Sequence, residues 1–169
     1  MSVDGMITFH DRPGNAFTSS ADKRHFVECL QAFDCSVLGR NTFEASKDFL
    51  LSQLSSRRLR VVITSNPDDY ADLAVPGKLE FSKDGPEEIL QGLTERGYRK
   101  CAHLGGSDAY ASFQSAQCID AWWLSVEARI FGSGRPLCPG THDAHLAVES
   151  VERLEDSDTL LLKYRCIYQ

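Results

Sequence analysis

Short apolar segments alternate with segments of helical periodicity through the first two thirds of the sequence. The apolar segments predict strands at residues 35–38, 59–65, 79–82 and 100–104. The periodic segments predict helices at residues 22–33, 42–54, 85–97 and 107–115. Because a helical return places the next strand parallel to the last, this alternation predicts a mostly parallel sheet with helices on both faces.

The last third of the sequence changes character. Residues 119–131 form a β-rich run, and residues 148–168 predict two strands joined by a turn at 156–158. The predicted fold class is therefore α/β, with a mostly parallel central sheet and an antiparallel C-terminal edge. The length of 169 residues fits one domain, 1–169.

Composition excludes several classes of function. A net charge of −6 argues against a general binder of nucleic acid or of anionic membranes. No apolar run approaches the roughly 20 residues that span a bilayer, and no basic segment precedes an apolar one at the N-terminus. The six cysteines form no C-x-x-C pair, and of the histidines only His142 and His145 show a weak ligand spacing. We therefore expect a cytoplasmic protein with reduced thiols, no membrane or nucleic-acid partner and no metal.

Three turns follow predicted parallel strands, so they should project from the same edge of the sheet. The turns lie at residues 39–42, 64–66 and 105–108. Two of them open helices with glycine, which leaves free N–H groups and lets a phosphate approach the backbone. Arg40 adds a guanidinium suited to a phosphate, and Thr64 and Ser65 add hydroxyls. Each piece alone is more often an ordinary turn or surface residue; their convergence predicts a site for a dinucleotide with an extra phosphate.

Five segments in this order resemble the dihydrofolate-reductase-like superfamily. They are SVDGMI at 2–7, VLGRNT at 37–42, VITS at 62–65, LGG at 104–106, and the stretch from 119 to 137 that begins ID and ends FGSGRPL. Within that superfamily the sequence is most similar to the reductase (C-terminal) domain of the bifunctional riboflavin-biosynthesis deaminase-reductase. The resemblance covers nearly the whole chain.

This resemblance implies an NADPH-dependent reductase of a small heterocyclic substrate. In the riboflavin pathway that substrate is 5-amino-6-(5-phosphoribosylamino)uracil, whose ribose is reduced. By the same resemblance, the cofactor would contact three groups of residues. They are Gly39, Arg40, Asn41 and Thr42 at its phosphates, Thr64, Ser65 and Asn66 at the adenosine ribose and its phosphate, and Gly105, Gly106, Ser107 and Asp108 along the pyrophosphate. Ser2, Asp4 and Leu104 would face the substrate.

Two acids are candidates for the catalytic proton source. Asp22 lies in an A-D-x-x-x-F setting, where dihydrofolate reductases carry their catalytic acid, although an acid in a helix's first turn also simply complements the helix dipole. Asp4 lies in the S-x-D-G segment, where its alternative role is turn chemistry before a glycine.

The sequence also departs from the riboflavin reductases. Leu104 stands where they usually carry a glutamate, Ala121 replaces an acidic residue, and little sequence precedes the S-x-D-G segment. A dihydrofolate or pteridine reductase, and a non-catalytic dimeric binding protein on the same fold, therefore stay open as alternatives.

Trp122 and Trp123 should face opposite sides of a strand. Together with the resemblance, they lead us to expect a homodimer formed through the C-terminal strands.

Overall fold

The computed structural model describes residues 1–12, 14–54 and 58–168. Helices and strands alternate in the predicted order, with one 3-10 helix, Pro67–Leu73, that the sequence did not indicate. The elements are α1 Ser20–Leu30, β1 Cys35–Gly39, α2 Arg40–Ser52, β2 Leu59–Ile63, β3 Leu79–Ser82, α3 Pro86–Glu95, β4 Cys101–His103, α4 Ser107–Ser115, β5 Ala121–Val126, β6 His145–Arg153 and β7 Leu160–Ile167.

The parallel sheet has the strand order β3-β2-β1-β4. Val37 of β1 lies opposite Val61 of β2 on one side and His103 of β4 on the other. All of these pairings are parallel, so the four strands end at one edge. We call this the carboxyl edge; the predicted turns follow β1, β2 and β4 there.

Alternate residues of the parallel strands face two different cores, because side chains alternate across a strand. Leu38 and Val62 pack with Phe43 and Leu50 of α2 on one face. On the other face, α3, α4 and Trp122 pack against a second set of buried residues, Cys35, Val37, Leu59 and Val61. Helices therefore cover both faces, which confirms the predicted fold class.

The antiparallel strands form a sheet of their own, in the order β5-β7-β6, instead of an edge of the parallel sheet. In the described chain, β4 pairs with β1 and β5 pairs with β7, and helix α4 joins the two sheets through side chains. The Tyr110 ring lies 5.1 Å from that of Trp122, and the Trp122 indole N–H donates to Gln114 Oε1 (3.1 Å). Long-range pairing of this kind has no local sequence signature.

The ends of several elements differ from the predicted ones for local reasons. Helix α1 begins at Ser20 because Ser19 Oγ accepts a hydrogen bond from the Asp22 N–H (3.0 Å). Strand β2 ends at Ile63, and Thr64 Oγ1 then accepts from the Asn66 N–H (3.3 Å). Strand β5 ends at Val126 because the chain beyond it pairs with residues 1–7 instead. No helix in the described part of the chain is both long and apolar enough to cross a membrane.

Candidate functional site

The predicted turns meet along one cleft at the carboxyl edge. The cleft has a volume of about 2010 Å³. Ten of the eleven predicted cofactor residues line it; the exception, Asn66, occupies the N-cap position of the 3-10 helix. Two of the turns touch directly, because the Gly39 N–H donates to the Gly105 carbonyl oxygen (2.6 Å).

Glycine lets the first turns of α2 and α4 lie side by side. A Cβ on Gly39 would come within 3.3 Å of the Ala109 Cβ and 3.4 Å of the Gly106 nitrogen. A Cβ on Gly106 would come within 3.0 Å of Thr42 Oγ1. Side chains at these positions would therefore push the two helix starts apart, and close approach explains the glycines whether or not a ligand binds.

The starts of α2 and α4 also share an electrostatic property. Their N-cap residues, Gly39 and Gly106, provide no side-chain hydrogen bond to the first turn, whereas Ser19 caps α1. Uncapped N–H groups and the positive end of the helix dipole favour an anion. Two such helix starts face one cleft, so the site suits a ligand with more than one phosphate group.

Two cationic side chains line the adenosine side of the predicted site. Arg40 is exposed and carries a fixed positive charge near the hydroxyl of Tyr70. That hydroxyl donates to Glu44 Oε1 (2.7 Å), and the bond raises the pKa of Tyr70. Lys83 follows β3 and lines the same cleft. Lys83 was not among the residues predicted from the sequence. It directly follows the predicted strand 79–82, and residues that follow parallel strands lie at the same edge of the sheet.

The first-turn side chains of α4 are engaged by the chain near residue 136. Ser107 Oγ donates to the Pro136 carbonyl oxygen. Asp108 forms an ion pair with Arg135, whose Nη2 lies 2.7 Å from Asp108 Oδ2. Both side chains are exposed, so the pair contributes little stability by itself. It does balance the negative charge that Asp108 would otherwise present to an anion at this helix start.

His103 supports the double-glycine turn from within the fold. Its Nδ1 accepts a hydrogen bond from the Gly105 N–H (3.2 Å), and its ring lies 4.7 Å from that of Tyr110 and 4.5 Å from that of Phe113. Burial lowers the pKa of His103 to about 4. The imidazole is therefore neutral at pH 7 and able to accept this bond. The sequence pattern around His103 did not predict this role.

Ser2 and Asp4 are not among the residues that line the cleft, although Met1 and Ile7 are. The Asp4 carboxylate accepts hydrogen bonds from the backbone N–H groups of Gly132 (2.7 Å) and Phe131 (3.1 Å). A bond from Ser2, together with these two, lowers the pKa of Asp4 to about 2. At neutral pH Asp4 is therefore a carboxylate that holds a turn and carries no proton to donate, so its catalytic role stays a prediction without support from this geometry.

Asp22 and Leu104 do line the cleft, and Asp22 is only 8% exposed. A buried network holds the start of α1 in place. The Ser19 N–H donates to Glu127 Oε1 (2.8 Å), and Thr159 Oγ1 donates to Glu127 Oε2 (3.0 Å). Asp22 is thus the predicted acid that a substrate in the cleft could reach.

Across residues 1–12, 14–54 and 58–168, no three His, Cys, Asp or Glu side chains are grouped as metal ligands.

Comparison with known proteins gives one family over most of the chain. Residues 1–161 match the family model described as the RibD C-terminal domain. The uncharacterized protein YwjB of Bacillus subtilis (strain 168) is 26% identical over 140 residues, which cover 81% of this chain and 78% of that protein.

Solved structures share the fold at lower identity. A putative riboflavin biosynthesis protein from Shewanella sp. PV-4 is 21% identical, with a TM-score of 0.72 over 99% of this chain and 95% of that one. A diaminohydroxyphosphoribosylaminopyrimidine deaminase/5-amino-6-(5-phosphoribosylamino)uracil reductase from Thermotoga maritima is 21% identical, with a TM-score of 0.75 over 98% of this chain. The match covers 54% of the Thermotoga protein, so this chain spans about half of it.

Proposed function

Because the chain belongs to the RibD C-terminal domain family, we propose that it is an NADPH-dependent reductase of a small heterocyclic substrate. The observation that carries this proposal is the convergence at the carboxyl edge. Two uncapped helix starts, Arg40 and Lys83 line one cleft. Such a site offers N–H groups to a pyrophosphate and fixed positive charge to a further phosphate.

When bound, NADPH supplies the hydride, and the protein supplies orientation and a proton. The starts of α2 and α4 would hold the pyrophosphate, with Gly39 and Gly106 letting it approach the backbone. Arg40, Ser65 and Lys83 would hold the phosphate on the adenosine ribose. Asp22, buried at the wall of the same cleft, would face the substrate and transfer a proton to it.

The ribosylaminopyrimidine phosphate of the riboflavin pathway is the first candidate substrate, on the strength of the family. A dihydrofolate or another dihydropteridine is the second. Two observations favour the second candidate: a buried carboxylate, Asp22, faces the cleft, and Leu104 packs against the apolar core around Leu38 and Phe43. A leucine at this place offers no polar contact to a ribosyl phosphate.

The test is NADPH oxidation, followed by absorbance, with each candidate substrate in turn. We expect turnover with one of them, and we expect Asp22→Asn to lower kcat at least tenfold while the Kd for NADPH is unchanged, because Asp22 would transfer a proton to the substrate and would not contact the cofactor. If NADPH neither raises the Tm nor quenches tryptophan fluorescence, the reductase proposal fails and the non-catalytic alternative gains.

We also propose that the protein is a homodimer through the C-terminal strands. Leu146 and Val148 of β6 lie opposite Cys166 and Tyr164 of β7, on the face that carries Trp122. Cys166 and Trp122 are buried, yet Leu146 is 41% exposed and Val148 is 62% exposed. The apolar face thus continues past the core onto an uncovered strand, together with Val151, which suits a second copy.

Val148→Lys should convert a dimer into a monomer, because it places a charge within that apolar strip. Light scattering coupled to size exclusion would measure the mass. The matched control is Ile130→Lys, since Ile130 is equally apolar, 77% exposed and away from the strip. A wild-type mass near 18.8 kDa would contradict the dimer directly.

A further inference from the structure

Two cysteines lie directly opposite each other on neighbouring parallel strands. Cys35 is the first residue of β1, Cys101 is the first residue of β4, and the two are register partners. Residues that face each other on paired strands project their side chains from the same face of the sheet. The two thiols therefore stand side by side at the edge of the sheet opposite the carboxyl edge, and neither lines the cleft.

The spacing of the pair suits a disulfide bond. Neighbouring strands lie about 4.8 Å apart, within the range of about 4.4–6.8 Å that the Cα atoms of bonded cysteines span. The Cys35 thiol also points toward β4, because its Sγ donates to the carbonyl oxygen of Lys100 (3.9 Å), the residue before Cys101. Closing a bond therefore requires rotation of the two side chains and no displacement of the strands.

Backbone hydrogen bonds hold the start of β4 against the start of β1. The Lys100 carbonyl oxygen accepts from the N–H groups of Asp34 (3.0 Å) and Cys35 (3.4 Å). The Asp34 carboxylate accepts in return from the N–H groups of Arg99 (2.8 Å) and Lys100 (3.1 Å). These bonds fix the register on both sides of the pair, so the two sulfur atoms stay within reach of each other.

The two thiols differ in their access to solvent. Cys35 is 0% exposed, whereas Cys101 is half-buried. Contact with the Cys101 thiol, together with burial, raises the pKa of Cys35. Cys35 therefore stays protonated at neutral pH, and an oxidant that arrives from solvent meets Cys101 first.

The remaining cysteines are placed differently. All six lie in the described part of the chain and are free thiols. Of the other four, one lies on α1, two lie outside the helices and strands, and Cys166 of β7 lies opposite Leu146. Within the strands that the structure describes, Cys35 and Cys101 are thus the one pair of cysteines at facing positions, which predicts that oxidation is selective for them.

We infer that Cys35 and Cys101 are a site of reversible oxidation, where hydrogen peroxide closes a disulfide bond between β1 and β4. The Cys101 sulfur attacks one peroxide oxygen, the O–O bond breaks, and the leaving hydroxide takes the Cys101 proton as water, which gives a sulfenic acid. The Cys35 sulfur then attacks the Cys101 sulfur, the S–O bond breaks, and the second hydroxide takes the Cys35 proton as water. The two sulfur atoms together lose two electrons, which reduce one peroxide to two molecules of water.

The bond would fasten the shortest strand of the parallel sheet. Strand β4 has three residues and, in the described sheet, pairs with β1 alone. A cross-link from residue 35 to residue 101 closes a long loop and so restricts the unfolded chain. We therefore expect oxidation to raise the Tm by about 5–10 °C.

The experiment oxidises the whole protein with hydrogen peroxide, removes the excess, and alkylates the remaining thiols in denaturant. Mass spectrometry of the intact protein and of its digest would then identify the bond. We expect the loss of two hydrogen atoms, one pair of linked peptides that contain Cys35 and Cys101, and full reversal by dithiothreitol. A bond between any other two cysteines would overturn the inference, as would alkylation of both Cys35 and Cys101 after oxidation.

Substitutions test whether this pair causes the change in stability. Cys101→Ser should abolish both the bond and the rise in Tm. Cys118→Ser is the matched control and should leave both unchanged, because Cys118 is also half-buried and packs against the same core. A bond that forms in the wild type without raising the Tm would refute the cross-link as a stabilising device.

The inference stands apart from the proposed function, because none of these measurements uses NADPH or a substrate. If a variant fails to fold, the linked peptides and the Tm of the wild-type protein still decide the question.

Discussion

Replacing Arg40 by alanine should weaken NADPH binding by roughly ten- to hundredfold and leave NADH binding nearly unchanged. The two cofactors differ only in the phosphate on the adenosine ribose, so a change confined to NADPH reports that phosphate. Arg40 has a fixed positive charge at the start of α2 and lines the same cleft as Ser65, which follows β2. Lys83→Ala should act in the same direction, and the double variant should bind the two cofactors almost equally.

Fluorescence titration with each cofactor would measure these constants. Arg153→Ala is the matched control, because Arg153 is 69% exposed and lies on β6, outside the cleft. An unchanged preference for NADPH in the Arg40→Ala and Lys83→Ala double variant would show that neither cation binds the phosphate.

Acid should destabilise the protein between about pH 6.5 and pH 4, and His103 should account for much of the loss. The folded-state pKa of His103 is about 4, below the ordinary value of 6.5, because the ring is buried. The unfolded chain therefore binds more protons than the folded one in this range, and the free energy of unfolding falls as the pH falls. The full effect of this shift is roughly 3 kcal/mol, and it levels off below about pH 4.

Urea unfolding at a series of pH values would measure the effect. His103→Gln removes the titrating group, so its stability should vary less with pH, whatever its absolute stability. His145→Gln is the control at an exposed position. Equal pH dependence of the wild type and His103→Gln would mean that His103 is not a neutral, buried acceptor for the Gly105 N–H.

The sequence allowed the order of elements and the meeting of the turns to be predicted, because both follow from local patterns. Apolar runs ended by glycine or hydroxyl residues identify parallel strands, and parallel strands end together. The separate antiparallel sheet could not be predicted in this way. It depends on which distant strands pair. Nothing local in residues 101–126 specifies that β4 pairs with β1 and that β5 pairs with β7.

Two residues illustrate where local patterns are ambiguous. The spacing of Phe26 in α1 predicts an apolar helix face, but a face toward a core and a face toward an open cleft have the same periodicity. Phe26 lines the cleft and is 41% exposed. The turn chemistry of Asp4 was recognised, but its partners, Phe131 and Gly132, lie 127 and 128 residues away. Lys83 was predictable from the sequence, because it directly follows strand β3 and parallel strands end at the same edge.

The network of Ser19, Glu127 and Thr159 ties Asp22 to the antiparallel sheet, whereas the cofactor residues belong to the parallel one. In the proposed reaction, the proton donor and the hydride donor would then be held by different sheets, which pack together through a shared core. The packing between the two sheets would therefore set the distance between the two donors. A substitution at Glu127, which is not among the residues that line the cleft, would in this way shift Asp22 without altering any contact to the cofactor.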